Sequence, residues 1–264
     1  MSARSILFTL WGDVFLDRED AVPLATATSF MQTLGFRPDA VRAALARMAR
    51  EGWYVSARHG RQSSYSLTPI GNERLRDARR RIYQVDEEPW QGTFRTLGLP
   101  SPAPPPARRR PLLRELQWVG WAQVGPYQWL SPIARLEETF VVLSRYGIHG
   151  AWVLSGSLSG KDPIRWIEEL YPIAEIDARY QSFLQDWASV ATVRSEAEAF
   201  VGRIELVHAW RKLLFVDPGL PRTLLPPHFA RSEARALFRE LYAAWLEPSA
   251  AFVARQMGSP VLVS

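Results

Sequence analysis

The chain has 264 residues, 47% of them hydrophobic and 22% charged, with a formal net charge of +5 and no cysteine. That length accommodates two or three modest domains, each able to bury its own core, while the lack of cysteine excludes disulfides, a thiolate nucleophile and cysteine-based zinc sites. No segment is apolar for long enough to span a bilayer; the opening Ile6 to Trp11 run is short, includes Thr9 and lacks a signal-peptide pattern, so the expected compartment is the cytoplasm.

Ser5 to Phe15 is expected to form a first helix, with Ile6, Leu7, Leu10, Trp11 and Val14 on its apolar face. Leu24 to Leu34 follows as a second, its Leu24, Ala27, Phe30, Met31 and Leu34 at helical spacing and Gly35 as the break. In a third, Pro38 to Glu51, the residues Val41, Ala44, Leu45 and Met48 fall at i, i+3, i+4 and i+7. Arg42, Arg47 and Arg50 lie largely off that stripe. Pro38 suits the first helical position, Asp39 the positive N-terminus, and Gly52 a left-handed stop. Tyr54 to Arg58 and Ser63 to Leu67 then read as two short strands joined by His59, Gly60, Arg61 and Gln62. Thr68 and Pro69 cap a further helix that runs through Arg74, Arg76, Arg79 and Arg81 to about Tyr83. The first 83 residues are thereby expected to make a complete small domain.

Charge separates this segment from the rest. Residues 1 to 83 hold 13 arginines and 8 acidic residues, 13 − 8 = +5, and the remainder holds 32 − 13 = 19 basic and 27 − 8 = 19 acidic residues. The whole net charge therefore sits on a helix, turn, helix and hairpin pattern, the outline of a winged helix that grips double-stranded DNA. Any one of these arginines taken alone reads as a solvated surface charge; the ordered set favours nucleic acid. Arg42 and Arg47 are the candidate base or phosphate contacts, and Arg37 and Arg50 the backbone contacts. The wing tip, Arg58, His59, Arg61, Gln62 and Ser63, is expected to meet the adjacent backbone or minor groove. Tyr65 supports the wing, touches phosphate or belongs to the core. One recognition helix reads few base pairs, so a homodimer on a near-palindromic operator is expected.

Beyond an acidic break at Asp86 to Pro89, a strand is expected over Gly92 to Leu99, then a Pro-rich, Arg-ended loop over Ser101 to Arg110 and a helix over Pro111 to Val119. Strands over Gln123 to Leu130 and Gly150 to Leu158 flank a helix from Pro132 to Tyr146. The order is compatible with a ferredoxin-like sandwich. Helices then dominate: Asp162 to Tyr171, Ile176 to Val190, Ser195 to Phe215 and Ser232 to Gln256. Pro218, Pro221, Pro226 and Pro227 make Val216 to Phe229 an irregular strap. The expected class is α+β in three consecutive parts: 1–85 DNA-binding, 86–160 ferredoxin-like, and 161–264 helical, for dimerisation and effector binding. Most of the eleven tryptophans are expected in cores.

No enzyme motif stands. In SGSLSGK, Ser155 to Lys161, only three residues separate Gly156 from Gly160, and Asp162 replaces the Ser or Thr of a phosphate loop. Leu158 occupies the place a nucleophilic serine would need. The four histidines have no metal-ligand spacing, and no cofactor is expected. The alternatives to a repressor are an enzyme acting on an acyl-CoA or nucleotide with an accessory winged helix, and a winged-helix module for protein contacts.

GDVFL at Gly12 to Leu16, VRAALARMAREGW at Val41 to Trp53, GRQSSYSLTPIG at Gly60 to Gly71, RRRIY at Arg79 to Tyr83, LVHAWRKLLFVDPGLP at Leu206 to Pro221 and ARALFRELY at Ala234 to Tyr242 together resemble the PaaX-type family of phenylacetate-catabolism repressors. The resemblance implies a winged-helix N-terminus, a ferredoxin-like, Cas2-like middle domain used without catalysis, and a helical C-terminal domain that helps dimerise. It also implies an aryl-CoA effector, typically phenylacetyl-CoA, whose binding releases DNA. The family's Trp-Asp-Gly-x-Trp element is replaced here by Trp90, Gln91, Gly92, Thr93 and Phe94. His208, Arg211 and Lys212, at i, i+3 and i+4, either receive the phosphates of a CoA thioester or form an internal ion pair with Glu205 or Asp217 that braces the strap.

Overall fold

The computed structural model describes residues 1–18, 20–60, 62–83, 90–100, 106–160, 162–190 and 195–258. Helix α1 (Ala3–Leu10) continues into a π-helical turn, Trp11–Phe15; strand β1 (Val22–Pro23), α2 (Leu24–Thr33), α3 (Pro38–Arg50), β2 (Tyr54–His59), β3 (Gln62–Leu67) and α4 (Pro69–Tyr83) follow. Next come β4 (Phe94–Gly98), α5 (Pro106–Trp118), β5 (Ala122–Gly125), β6 (Gln128–Ser131), α6 (Leu136–Arg145) and β7 (Trp152–Gly156). The chain closes with α7 (Pro163–Leu170), α8 (Ile173–Trp187), α9 (Glu196–Leu214), a 3-10 turn at Arg222–Leu224 and α10 (Arg231–Met257).

These elements form two compact units that cut the chain differently from three consecutive parts. One comprises Met1–Gln84, Phe183–Lys212 and Glu233–Ser264; the other comprises Val85–Ser182 and Leu213–Ser232. The acidic break at 86–89 lies outside the described residues.

In the first unit, the stripes of α1, α2 and α3 converge as the spacing requires, with Leu7, Leu10, Ala27, Phe30, Met31, Val41, Leu45 and Met48 fully buried. The expectation that residues 1 to 83 complete this core fails. Phe200 and Ile204 of α9 and Phe252 of α10 belong to the same cluster, and Phe30 meets the rings of Phe200 and Phe252 at 5.3 and 6.1 Å. Three short helices and a hairpin leave one side of Phe30 bare, and distant helices cover it. Gly202 on α9 permits this packing: a Cβ there would stand 3.1 Å from the Trp245 ring of α10.

A buried ion pair joins the same elements. Arg203 Nε lies 2.9 Å from Asp13 Oδ2, their side chains 9% and 2% exposed. Tyr83 and Tyr242 donate their hydroxyls to Asp13 Oδ1, and the Arg203 guanidinium lies over the Tyr242 ring at 5.0 Å. Burial and then the neighbouring Asp13 carboxylate raise the pKa of both tyrosines, so both remain hydroxyl donors. The sequence reading overlooked this pair; an acid inside the otherwise apolar LWGDVFL run was its one visible sign.

In the second unit, the element order is β4, α5, β5, β6, α6, β7, with strands arranged β5-β6-β4-β7 and every pairing antiparallel. The single strand expected over Gln123 to Leu130 is instead a hairpin. Gly125, Pro126 and Tyr127 break it, since proline has no N–H to give a ladder, and Ala122 comes back opposite Leu130. The loop expected to reach Arg110 also ends early, because α5 begins at Pro106 and holds Pro111 in its interior. That proline forfeits one helical hydrogen bond, and Leu112 and Leu116, buried in the sheet-facing core, hold the helix through it. Residues 101–105 of the expected loop lie outside the described residues.

The proline-rich strap is braced from within this unit. Tyr180 donates to Asp217 Oδ2 at 2.6 Å, Arg231 stands 3.3 Å from the same oxygen, and Gly219 N–H donates to Oδ1 at 2.8 Å. Asp217 is thus held by Arg231 and Tyr180, neither of them a member of the His208, Arg211 and Lys212 set from which its ion pair was expected.

Candidate nucleic-acid interface

Helix α3 buries Val41, Ala44, Leu45 and Met48 and turns Ala40, Arg42, Ala43, Ala46, Arg47 and Arg50 to solvent. Arginines interleaved with alanines make a flat cationic face, on which the small side chains admit close approach of another surface. Arg37, the N-cap residue, is exposed too. Arg42 pairs with Asp39 one turn back, and Arg50 leans on the Ala46 carbonyl at 3.5 Å. Neither Arg37 nor Arg47 has an ion-pair partner among the described residues.

The hairpin after α3 is anchored at its base and projects at its tip. Tyr54 and Tyr65 are buried and meet edge-on at 6.5 Å, while Val55, Ser56, Ala57 and Arg58 are exposed on both faces of β2. Tyr65 is therefore core, the reading in which it touches phosphate being at odds with its burial. The strands pair antiparallel from Tyr54↔Leu67 to His59↔Gln62, and β1 adds a third strand beside β3, through Val22↔Tyr65 and Pro23↔Ser64. Two residues without strand patterning gave no sign of β1 in the sequence. At the tip, Gly60 takes φ +61° and Arg58 Nε donates to its carbonyl at 3.2 Å; Gln62 is exposed and Ser63 half-buried. Arg61 and the His59 side chain lie outside the described residues.

Thr68 sets the hairpin against its neighbours. Its Oγ1 accepts from Gly71 N–H at 3.0 Å, capping α4, and donates to the Gly52 carbonyl at 2.7 Å. Gly71 has no room for a side chain, because a Cβ would come 2.5 Å from the Trp53 carbonyl oxygen. The arginines of α4 serve the fold instead: Arg76 and Arg79 pair with Asp17, Arg80 with Asp77, and Arg74 lies over the Trp53 ring at 5.2 Å.

His208, Arg211 and Lys212 do not converge on one solvent-facing surface. His208 is 2% exposed, with Nδ1 3.1 Å from Thr9 Oγ1. Burial first, then the charges of Arg211 and Lys212, push its pKa down to about 4. Arg211 donates to the carbonyl and hydroxyl of Ser5 at 3.0 and 3.1 Å. Lys212 alone of the three is exposed. Helical spacing put them on one side, and His208 and Arg211 on that side pack on α1.

Among the described residues, no cluster of histidine, aspartate and glutamate could hold a metal ion, and no helix is long and apolar enough to cross a membrane. A mixed α+β chain with a cationic helix and hairpin at one end, set on helices from the other, belongs with DNA-associated regulators in its outline. The family comparisons agree: residues 2–71 match the family described as PaaX-like protein, and residues 171–255 match the PaaX-like protein C-terminal domain. The chain belongs to the PaaX-type family, a family of regulators and not of enzymes. It is 28% identical over 268 residues to the transcriptional repressor PaaX of Escherichia coli (strain K12), covering 97% of this chain and 84% of that protein. Its fold is similar to that of the uncharacterized protein Rv0674 from Mycobacterium tuberculosis, with a TM-score of 0.62 at 18% identity over 97% of this chain and 99% of the other.

Proposed function

We propose that this protein is a cytoplasmic, homodimeric, DNA-binding transcriptional repressor of a catabolic operon, released from a near-palindromic operator by an acyl-CoA effector such as phenylacetyl-CoA. Residues 1–83 work as a winged helix-turn-helix, with α3 in the major groove and the β2–β3 hairpin as the wing. Three helices, an antiparallel hairpin and the added strand β1 support that assignment. The β-α-β-β-α-β order with strand order β5-β6-β4-β7 supports a ferredoxin-like, Cas2-like reading of the middle segment.

The observation that carries the proposal is the solvent face of α3, where Arg37 and Arg47 stand without ion-pair partners among alanines. Arg47 and Arg42 read base edges or phosphates, Arg37 and Arg50 hold the backbone, and Arg58, His59, Arg61, Gln62 and Ser63 form the wing contact. The effector proposal rests on family membership. The geometry of His208 and Arg211 favours an internal role for those two, so the effector meets other groups.

Selection of duplexes from a random pool by the full chain tests the proposal directly. A recurrent, near-symmetric sequence bound in preference to excess competitor is expected. Arg47→Ala should cost about 1 to 3 kcal/mol on that sequence and less on random DNA. Failure to enrich any sequence would refute the repressor reading and favour a protein-contact module.

A further inference from the structure

Three arginine clusters are described in this chain, and they differ in what neutralises them. Arg76, Arg79 and Arg80 of α4 are held by Asp17 and Asp77. Those of α3 and the wing belong to the interface already assigned. The third lies in the second unit, at the start of α5, where Arg108, Arg109 and Arg110 are consecutive and exposed and Arg114 follows one turn on, also exposed.

Among the described residues, no carboxylate neutralises this third cluster. The first turn of α5 contains no acidic residue, so these cations oppose the positive end of the helix dipole. Arg110 and Arg114, at i and i+4, repel one another. Glu115 is the single carboxylate on the helix, and it is already engaged by Arg145 and by the Tyr146 hydroxyl at 2.9 Å. None of the four arginines has an ion-pair partner among the described residues. Leu112 of the same turns is buried in the core and Leu113 is half-buried against it. Residues 84 to 264 are charge-neutral overall, so the cluster is a local concentration and not a reflection of composition.

We infer that the Arg108–Arg109–Arg110–Arg114 cluster is a second DNA contact, one that grips the phosphate backbone without reading sequence. The inference rests on the repressor reading for its partner. It adds a contact outside the winged helix, and it predicts that part of the affinity comes from phosphates beyond those met by α3 and the wing.

The test compares the full-length protein with an Arg108→Gln/Arg109→Gln/Arg110→Gln variant on the selected duplex and on random duplex of equal length, over a series of salt concentrations. Each phosphate contact contributes about 0.9 to the slope of log K against log salt. The variant should lose about 2 to 3 units of slope equally on both duplexes, keep the preference between them, and melt no lower than the parent, since its repulsions are relieved. An unchanged slope with intact folding would overturn the inference. A parent that binds both duplexes alike would sink the sequence-reading proposal, while a slope still lost in the variant would uphold the backbone contact. If only the binding of anionic vesicles changes in the variant, the cluster is a membrane contact and the inference is wrong.

Discussion

Replacing Asp13 by Asn tests how the first unit is held together. The substitution keeps an oxygen for the hydroxyls of Tyr83 and Tyr242 and changes the shape of the side chain little. It removes the charge 2.9 Å from Arg203 Nε, in a place where the two side chains are 2% and 9% exposed. Arg203 then remains charged and buried without a counterion, so the loss should be about 3 to 5 kcal/mol. At roughly 2 to 4 °C per kcal/mol for a chain of this size, the melting temperature should fall by roughly 6 to 20 °C. Urea unfolding followed by tryptophan fluorescence measures the first quantity and a thermal melt the second. An Asp13→Leu/Arg203→Met double variant should recover most of the loss, because the cost lies in the orphaned charge and not in the missing attraction. A fall of less than about 1 kcal/mol in Asp13→Asn, or a double variant less stable than Asp13→Leu alone, would refute this account.

His208, neutral in the folded protein with its pKa pushed down to about 4 from 6.5, lets the unfolded chain bind the extra proton between those values; stability from this group is complete above pH 6.5 and is lost as pH falls toward 4, on the order of 3 kcal/mol. A His208→Gln variant should show a flatter pH dependence in that window, and an unaltered one would place the histidine's titration elsewhere. A fragment ending at Tyr83 should fail to fold, because it lacks Phe200, Ile204 and Phe252, and Phe252→Ala in the full chain should cost about 3 to 5 kcal/mol; a dispersed proton NMR spectrum from the fragment would contradict this. Gly71→Ala forces a Cβ against the Trp53 carbonyl and should cost about 1 to 3 kcal/mol while weakening DNA binding, with calorimetric melting and DNA titration as the measurements.

Much of the local structure was legible in the chain itself. Apolar residues at helical spacing, Pro38 at its first turn and Gly52 at +78° beyond its end bounded α3 to within a residue, and Thr68 marked the start of α4. These signals act over one or two turns, where chain geometry is local and each residue's backbone preference is expressed directly. The arginine content of residues 1 to 83 is likewise plain from composition, and it points to a polyanion.

What the sequence could not convey was which faces meet. His208, Arg211 and Lys212 share one side of α9 by spacing, yet whether that side faces solvent depends on α1, some two hundred residues earlier, whose Ser5 and Thr9 receive it. Phe252 and Phe30 are separated by most of the chain, and Asp13 finds Arg203 only because α9 crosses the π-helical turn. Burial is a property of pairs of surfaces, and periodicity describes one surface at a time. The amino-acid order by itself determined the helices, the hairpin and where the positive charge lies; the tertiary structure alone decided which arginines are neutralised inside the fold and which, like Arg37, Arg47 and the cluster on α5, stand exposed with no ion-pair partner among the described residues.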